Sequence, residues 1–307
     1  MTPTLRLLRP VLLLMGLAAI ATQVVAQPAP VDSKAEIQAA GAEAEKAAVR
    51  GPAAVPLRNQ ATLDLPAGFL FVPQQQADRY LRALGNSTGP TLLGLIASTS
   101  QDAQWMAVVR YIEAGYIKDD DAKTWNADEL LKNLREGTDQ QNDERRARGL
   151  PEMEIVGWVQ PPTYDATTHR LVWSASSRTR GAAAGDDQGV NYNTYMLGRE
   201  GYLTLNLVTG LALIERYKPN AHQLLASLGF GEGKRYADFN SSTDKVAEYG
   251  LAALVGGIAA KKLGLLAVIG VALVKFWKLV VLAVAGGGAV LMRKKKPKED
   301  PTPPTAA

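Results

Sequence analysis

In two stretches of this chain, polar and aromatic residues alternate where simple core packing does not call for them. Asn191, Tyr192, Asn193 and Thr194 run toward Arg199 and Glu200, and a second stretch holds Lys234, Arg235, Tyr236, Ala237, Asp238 and Phe239. Such a mixture can line a ligand or partner surface, since aromatic rings supply contact area and charged groups supply direction. The same mixture also arises from cross-strand pairs on a sheet. An enzyme working through Tyr192, Arg199, Arg235 and Asp238 is the alternative to a binding surface. It requires those four side chains in one cleft.

Other reaction classes find little support. The two histidines, His169 and His222, have no motif around them and read as surface residues. No G-x-S-x-G elbow accompanies them, which removes the usual setting of a serine nucleophile. Cysteine is absent, excluding thiolate catalysis, disulfides and Cys-based zinc sites. Asp119, Asp120 and Asp121 form the densest acidic cluster with Asp128 and Glu129. An EF-hand begun at Asp119 fails, because Thr124 stands where glycine is needed and Leu130 where glutamate is needed. Gly229 to Lys234 is glycine-rich, but Arg235 follows Lys234 instead of Ser or Thr, so it is no phosphate loop. No cofactor is expected.

The formal charge of +4 suggests nucleic acid only until it is located. Arg6 and Arg9 lie before residue 27; Lys261, Lys262, Lys275 and Lys278 lie in 251–292; five more basic residues lie in 293–307. Residues 27–250 keep 23 basic against 28 acidic residues. The central domain is acidic, no basic stripe crosses it, and nucleic-acid binding is not expected.

Elements that could position the polar blocks are visible by period. Thr62–Leu65 and Phe69–Val72 read as strands around Pro66-Ala67-Gly68, and 74–84 has helical spacing. Trp105–Tyr111 is β-rich. Asn126 caps a helix with Glu129 three residues on and Leu130, Leu131 and Leu134 on one face. Then come strands at 154–159, 170–176, 190–196 and 202–208, where Leu203, Leu205 and Leu207 alternate with polar residues. A helix over 220–228 follows. The expected class is α+β, a mainly antiparallel sheet with flanking helices, plus a C-terminal transmembrane helix.

The ends carry membrane signals. Residues 1–26 have the order of a secretory signal peptide cleaved after Ala26, and 27–57 reads as an Ala/Pro-rich linker, with a solvated helix over Ser33–Val49, to an exported domain over 58–248. Residues 249–292 are apolar apart from four lysines and are too long for one span, about 66 Å as a helix. The preferred division is an apolar juxtamembrane helix over 249–275 and a crossing over 276–292. Trp277 and Lys278 then sit at one interface, and Arg293, Lys294, Lys295 and Lys296 open a basic cytoplasmic tail (293–307). Lipid bilayer is thus the expected partner. The glycines of the segment also allow self-association.

Several blocks in order resemble the bacterial DUF2167 family, which is uncharacterised: Gly115-Tyr116-Ile117-Lys118-Asp119, Asp128-Glu129-Leu130-Leu131, His169-Arg170-Leu171-Val172-Trp173, Val190-Asn191-Tyr192-Asn193-Thr194, Leu197-Gly198-Arg199-Glu200-Gly201 and Gly233-Lys234-Arg235-Tyr236-Ala237-Asp238-Phe239. The resemblance implies a bacterial envelope location and carries no activity or site residues. With the charge rule it implies a single-pass protein of the inner membrane, its main domain periplasmic. The expected role is a non-enzymatic binding or scaffold module, alone or as a homo-oligomer or with an envelope protein partner.

Overall fold

The computed structural model describes residues 33–147, 149–183 and 187–256. Its elements are α1 (Ser33–Ala47), β1 (Val49–Arg50), β2 (Ala53–Leu57), β3 (Ala61–Leu65), β4 (Phe69–Pro73), α2 (Gln74–Ala83), β5 (Leu92–Ser98), β6 (Met106–Ile112), α3 (Ala127–Ala147), β7 (Met153–Asp165), β8 (Arg170–Thr179), β9 (Gly189–Leu197), β10 (Tyr202–Gly210), α4 (Ile214–Ala226), β11 (Leu228–Phe230) and a last turn, α5 (Ala253–Gly256). An eight-stranded sheet in the order β1-β4-β5-β6-β10-β9-β8-β7 is antiparallel throughout, and a small sheet β11-β3-β2 stands beside it. The expected α+β class with a mainly antiparallel sheet is what forms.

Strand alternation divides the large sheet into two covered faces. On one face Ala107, Val109, Leu203, Leu205, Leu207 and Tyr192 pack against the small sheet and against Ile214, Tyr217, Leu224 and Leu225 of α4. Burying each such leucine contributes roughly 1.5–3 kcal/mol. The other face has two covers. Ile37, Ala40 and Ala44 of α1 and Ala77, Tyr80 and Leu81 of α2 pack on Leu70, Val72, Leu95, Met106 and Val108. Farther along, Leu130 and Leu134 of α3, with Leu251, Leu254 and Val255, pack on Leu171, Trp173, Tyr195 and Tyr202.

α3 is also fastened to the edge strand β7. Asn142 is buried and its amide makes two 2.8 Å hydrogen bonds, donating to the Met153 carbonyl and accepting from the Met153 N–H. The Arg135 side chain donates to the carbonyls of Ile155 and Val156. β7 itself departs from regular pairing in three places and contains Pro161 and Pro162. At the opposite edge β1 is two residues long.

Three expectations need correction. Residues 33–57 are no linker: α1 buries Ile37, Ala40 and Ala44, and β1 and β2 join the two sheets. Alanine-rich contact simply leaves no conspicuous apolar stripe. The domain does not stop at 248, because Leu251, Leu254 and Val255 are buried in its core; the start of the expected juxtamembrane helix is domain interior. α4 begins at Ile214 and runs through Pro219 instead of starting near 220. Buried Ile214 and Tyr217 in its first turn offset a proline cost of about 3 kcal/mol. β5, a continuous apolar run buried on both faces, carried no alternation to announce it.

Among the described residues no helix is long and apolar enough to cross a membrane. The signal peptide, the crossing over 276–292, the interfacial Trp277 and Lys278 and the tail from Arg293 through Lys296 all lie outside the described residues.

Candidate functional site

Four connections meet at one end of the large sheet. β6 ends at Ile112 and leads into 113–119; the β7–β8 turn supplies 166–169; the β9–β10 turn supplies 198–201; and 231–248 crosses all three. Backbone hydrogen bonds tie them together. Leu197 donates to His169, Arg199 to Lys234, Tyr116 to Lys245, and Ala247 back to Tyr116. Gly115 makes the crossing possible: its φ is +91°, and a Cβ there would lie 2.7 Å from the Lys245 carbonyl oxygen.

At the centre is a short hydrogen-bond chain. The Tyr164 hydroxyl lies 2.6 Å from Asp119 Oδ2 and 3.2 Å from His169 Nδ1. An ionised carboxylate only accepts, so the single phenolic proton goes to Asp119. His169 must then donate from Nδ1, and Nε2 is the ring nitrogen that this chain does not use. The imidazole is about one-third exposed, and Nε2 has no hydrogen-bond partner among the described residues. Burial, with Asp119 adding to it, pushes the Tyr164 phenol well above its ordinary range, so it stays protonated.

His169 is placed by an unusual backbone. Its φ is +51°, and few residues other than glycine adopt that region. The Asp165 carboxylate shapes the turn by accepting from the Thr167 and Thr168 N–H groups and from the Thr168 hydroxyl. The ring then packs on Tyr236, tilted by 30° with centroids 4.1 Å apart. Tyr236 and Phe239 both stack on Tyr116, at 4.4 and 3.8 Å. The Tyr236 hydroxyl donates to the Ile117 carbonyl, and burial raises its pKa.

Ion pairs border this aromatic centre. Arg199 clasps Asp244 through two hydrogen bonds of 2.7 and 2.8 Å and donates to the Gly233 carbonyl. That clasp holds the Asp244 carboxyl far below its ordinary value. Lys234 donates to both oxygens of Glu200, and Gln60 donates to Oε2; first Lys234 and then Gln60 lower the Glu200 pKa. Arg235 is exposed, and its N–H donates to Asp238 Oδ2.

The geometry therefore collects Arg199, Glu200, Lys234, Arg235, Tyr236 and Asp238 at one end of the sheet. It leaves Asn191, Tyr192 and Asn193 elsewhere. Tyr192 is wholly buried on the α4 face, its hydroxyl 3.0 Å from Gln160 Oε1 and 2.9 Å from His222 Nε2. Asn191 and Asn193 project from the opposite face of β9. The four-residue cleft required by the enzyme alternative is not assembled, since Tyr192 precedes Arg199 by seven residues, roughly 20 Å of strand. His222, read as a surface residue, is exposed, and what desolvation there is, with Lys218 nearby, lowers its pKa. Tyr116, Asp119, Tyr164 and His169 are additions that the sequence did not suggest as a site, and Phe239, part of the second polar–aromatic stretch, joins them. The Asx turn at Asp165 and the glycine before Tyr116 were the available signals.

Asp121 is taken up structurally, accepting from the N–H groups of Leu251 and Ala252. Among the described residues no group of three or more His, Asp or Glu side chains could hold a metal ion.

The sequence profile of a family described as a protein of unknown function, DUF2167, matches residues 49–285. No curated protein matches the chain. Solved structures resemble it distantly. Cyanobacterial PsbP (CyanoP) from Synechocystis is 11% identical over 60% of this chain and 91% of its own, with a TM-score of 0.35. The Ran-binding protein Mog1p of Saccharomyces cerevisiae is 11% identical over 58% of this chain and 94% of its own, with a TM-score of 0.30.

Proposed function

The chain belongs to the DUF2167 family, and from that premise we propose that it is a membrane-tethered binding module of the bacterial envelope, working through the loop end of its sheet. One observation carries the binding reading. Segments from four separate connections converge there around His169, and the Asp119–Tyr164–His169 chain uses Nδ1 and leaves the other ring nitrogen without a hydrogen-bond partner among the described residues. Part-buried hydrogen bonds and ion pairs fix the surrounding groups, which is the preorganisation that a recognition surface needs. A hydrolase acting through Tyr192 has no support in this arrangement.

Tethering rests on the sequence of both ends. An apolar h-region behind Arg6 and Arg9 exports the chain, 276–292 crosses the inner membrane once, and the basic tail stays in the cytoplasm. Self-association through the remainder of the apolar segment, 257–292, is compatible with this arrangement.

Two measurements test the proposal. In spheroplasts, external protease should digest the domain and spare a C-terminal tag; recovery of the chain in the soluble fraction, or loss of the tag, overturns the topology. For the surface, a photo-crosslinking amino acid replacing exposed Lys118 should give a discrete adduct that His169→Gly removes. The same residue in place of Gln101, at the other end of β6, should not. Equal adducts from both positions would sink the assignment.

A further inference from the structure

Alternate residues of β6 share one face of the sheet: Met106, Val108, Arg110 and Ile112. Met106 and Val108 belong to the cluster under α1 and α2, and Ile112 belongs to the cluster under α3. Arg110 stands at the seam between the two helical covers. The register then lays out a polar strip along that seam. Arg110 is opposite Thr204, Val108 is opposite Asn206, and Met106 is opposite Val208. One strand on, Asn206 is opposite Asn193 and Val208 is opposite Asn191.

This strip is under-satisfied at its buried end. Arg110 is only 6% exposed, its Nε is buried without a hydrogen bond, and no carboxylate or ring face among the described residues receives its guanidinium. Asn206 Oδ1 is likewise buried without a partner. Burial draws the Arg110 pKa down to about 10, so the group remains charged at neutral pH. An unpaired buried cation is strongly unfavourable in a folded protein. The strip also opens in one direction: Arg110, Thr204 and Asn193 are buried, whereas Asn206, Val208 and Asn191 are half-buried.

We propose that this seam binds a small carboxylate carrying an adjacent hydroxyl or amine. The ligand enters over Asn191 and Val208, its carboxylate forms a forked pair with Arg110, and its hydroxyl or amine donates to Asn206 Oδ1. A planar guanidinium matches a carboxylate through two parallel hydrogen bonds. Diagonal neighbours on adjacent strands are about 7–8 Å apart. That separation suits a ligand whose acid and donor are on neighbouring carbons. The site is distinct from the loop end and does not depend on the function proposed for it.

Thermal unfolding of the full chain in detergent, with glycolate, glycine, acetate or inorganic phosphate at saturating concentration, provides the test. Glycolate or glycine should raise Tm by several degrees and acetate by less. Arg110→Met should abolish the shift and, without ligand, melt at least about 3 °C above wild type, because an uncompensated charge has been removed. Arg110→Lys should bind at least tenfold more weakly, and Asn206→Leu should reduce the glycolate shift to the acetate level. The proposal is overturned if wild type responds to none of the four, or to phosphate alone. It is also overturned if the shift survives Arg110→Met, or if that variant melts below wild type.

Discussion

Arg199 and Asp244 are joined by two nearly equal hydrogen bonds, 2.7 and 2.8 Å, across 45 residues of chain. The pair pins the 231–248 crossing segment to the β9–β10 turn. Asp244 also accepts from the Asn240 N–H at 2.7 Å, so its carboxylate organises the loop as well as the clasp.

The clasp predicts a pH dependence. The pKa of Asp244 is depressed in the folded protein, chiefly by Arg199. Its contribution is therefore present above the usual aspartate value of 3.8 and is lost as pH falls through the depressed folded value. Asp244→Asn should lower Tm at pH 7, and the gap from wild type should close as pH is taken well below 3.8. A gap that persists undiminished in acid would show that charge is not its source.

Replacing His169 separates backbone from ring. Its left-handed φ costs about 1–2 kcal/mol for a residue with a Cβ, and packing on Tyr236 returns about 0.5–1.5 kcal/mol. His169→Gly should thus be within about 1 kcal/mol of wild type in stability, while His169→Ala keeps the strain, loses the ring and should be less stable than His169→Gly. Urea unfolding of the three chains checks the order.

Asn142 should be a sensitive core position. Its amide satisfies both backbone groups of Met153, so Asn142→Leu leaves a buried donor and a buried acceptor without partners. A loss of about 2–5 kcal/mol is expected. Asn142→Asp keeps the acceptor and should lose the donor to Met153. Denaturant midpoints for the two variants would distinguish these losses.

Residues past 248 should behave as core. Leu251→Ala removes a fully buried side chain and should cost about 2–5 kcal/mol. Asp121→Ala should cost about 1 kcal/mol by uncapping the turn at Leu251 and Ala252. Variants with wild-type stability would place 249–256 outside the domain.

Much of the framework could be read from local pattern. Asn126 does cap α3, its side-chain oxygen accepting from Asp128 and Glu129, and the alternation of β10 identifies its buried face. Helix α1 reads as a solvated helix because alanines make its contacts, which hides its packing, and β5 gives no alternation because it is buried on both faces. The polar–aromatic stretches marked half of the loop end. The other half, Asp119 with Tyr164 and His169, depends on pairing between strands far apart in sequence. Arg110 gave no local signal at all: a lone arginine in an apolar strand shows its isolation only when its neighbours across the sheet are known.

The two borders of the large sheet have a shared consequence. One border is the two-residue β1, and the other is β7, bent by register breaks, interrupted by Pro161 and Pro162, and with the backbone groups of Met153, Ile155 and Val156 already engaged by α3. Neither offers a straight run of free donors and acceptors. The large sheet is therefore a poor template for a ninth strand at either border. Association through this sheet would have to run by side chains on its covers, not by extension of its edges.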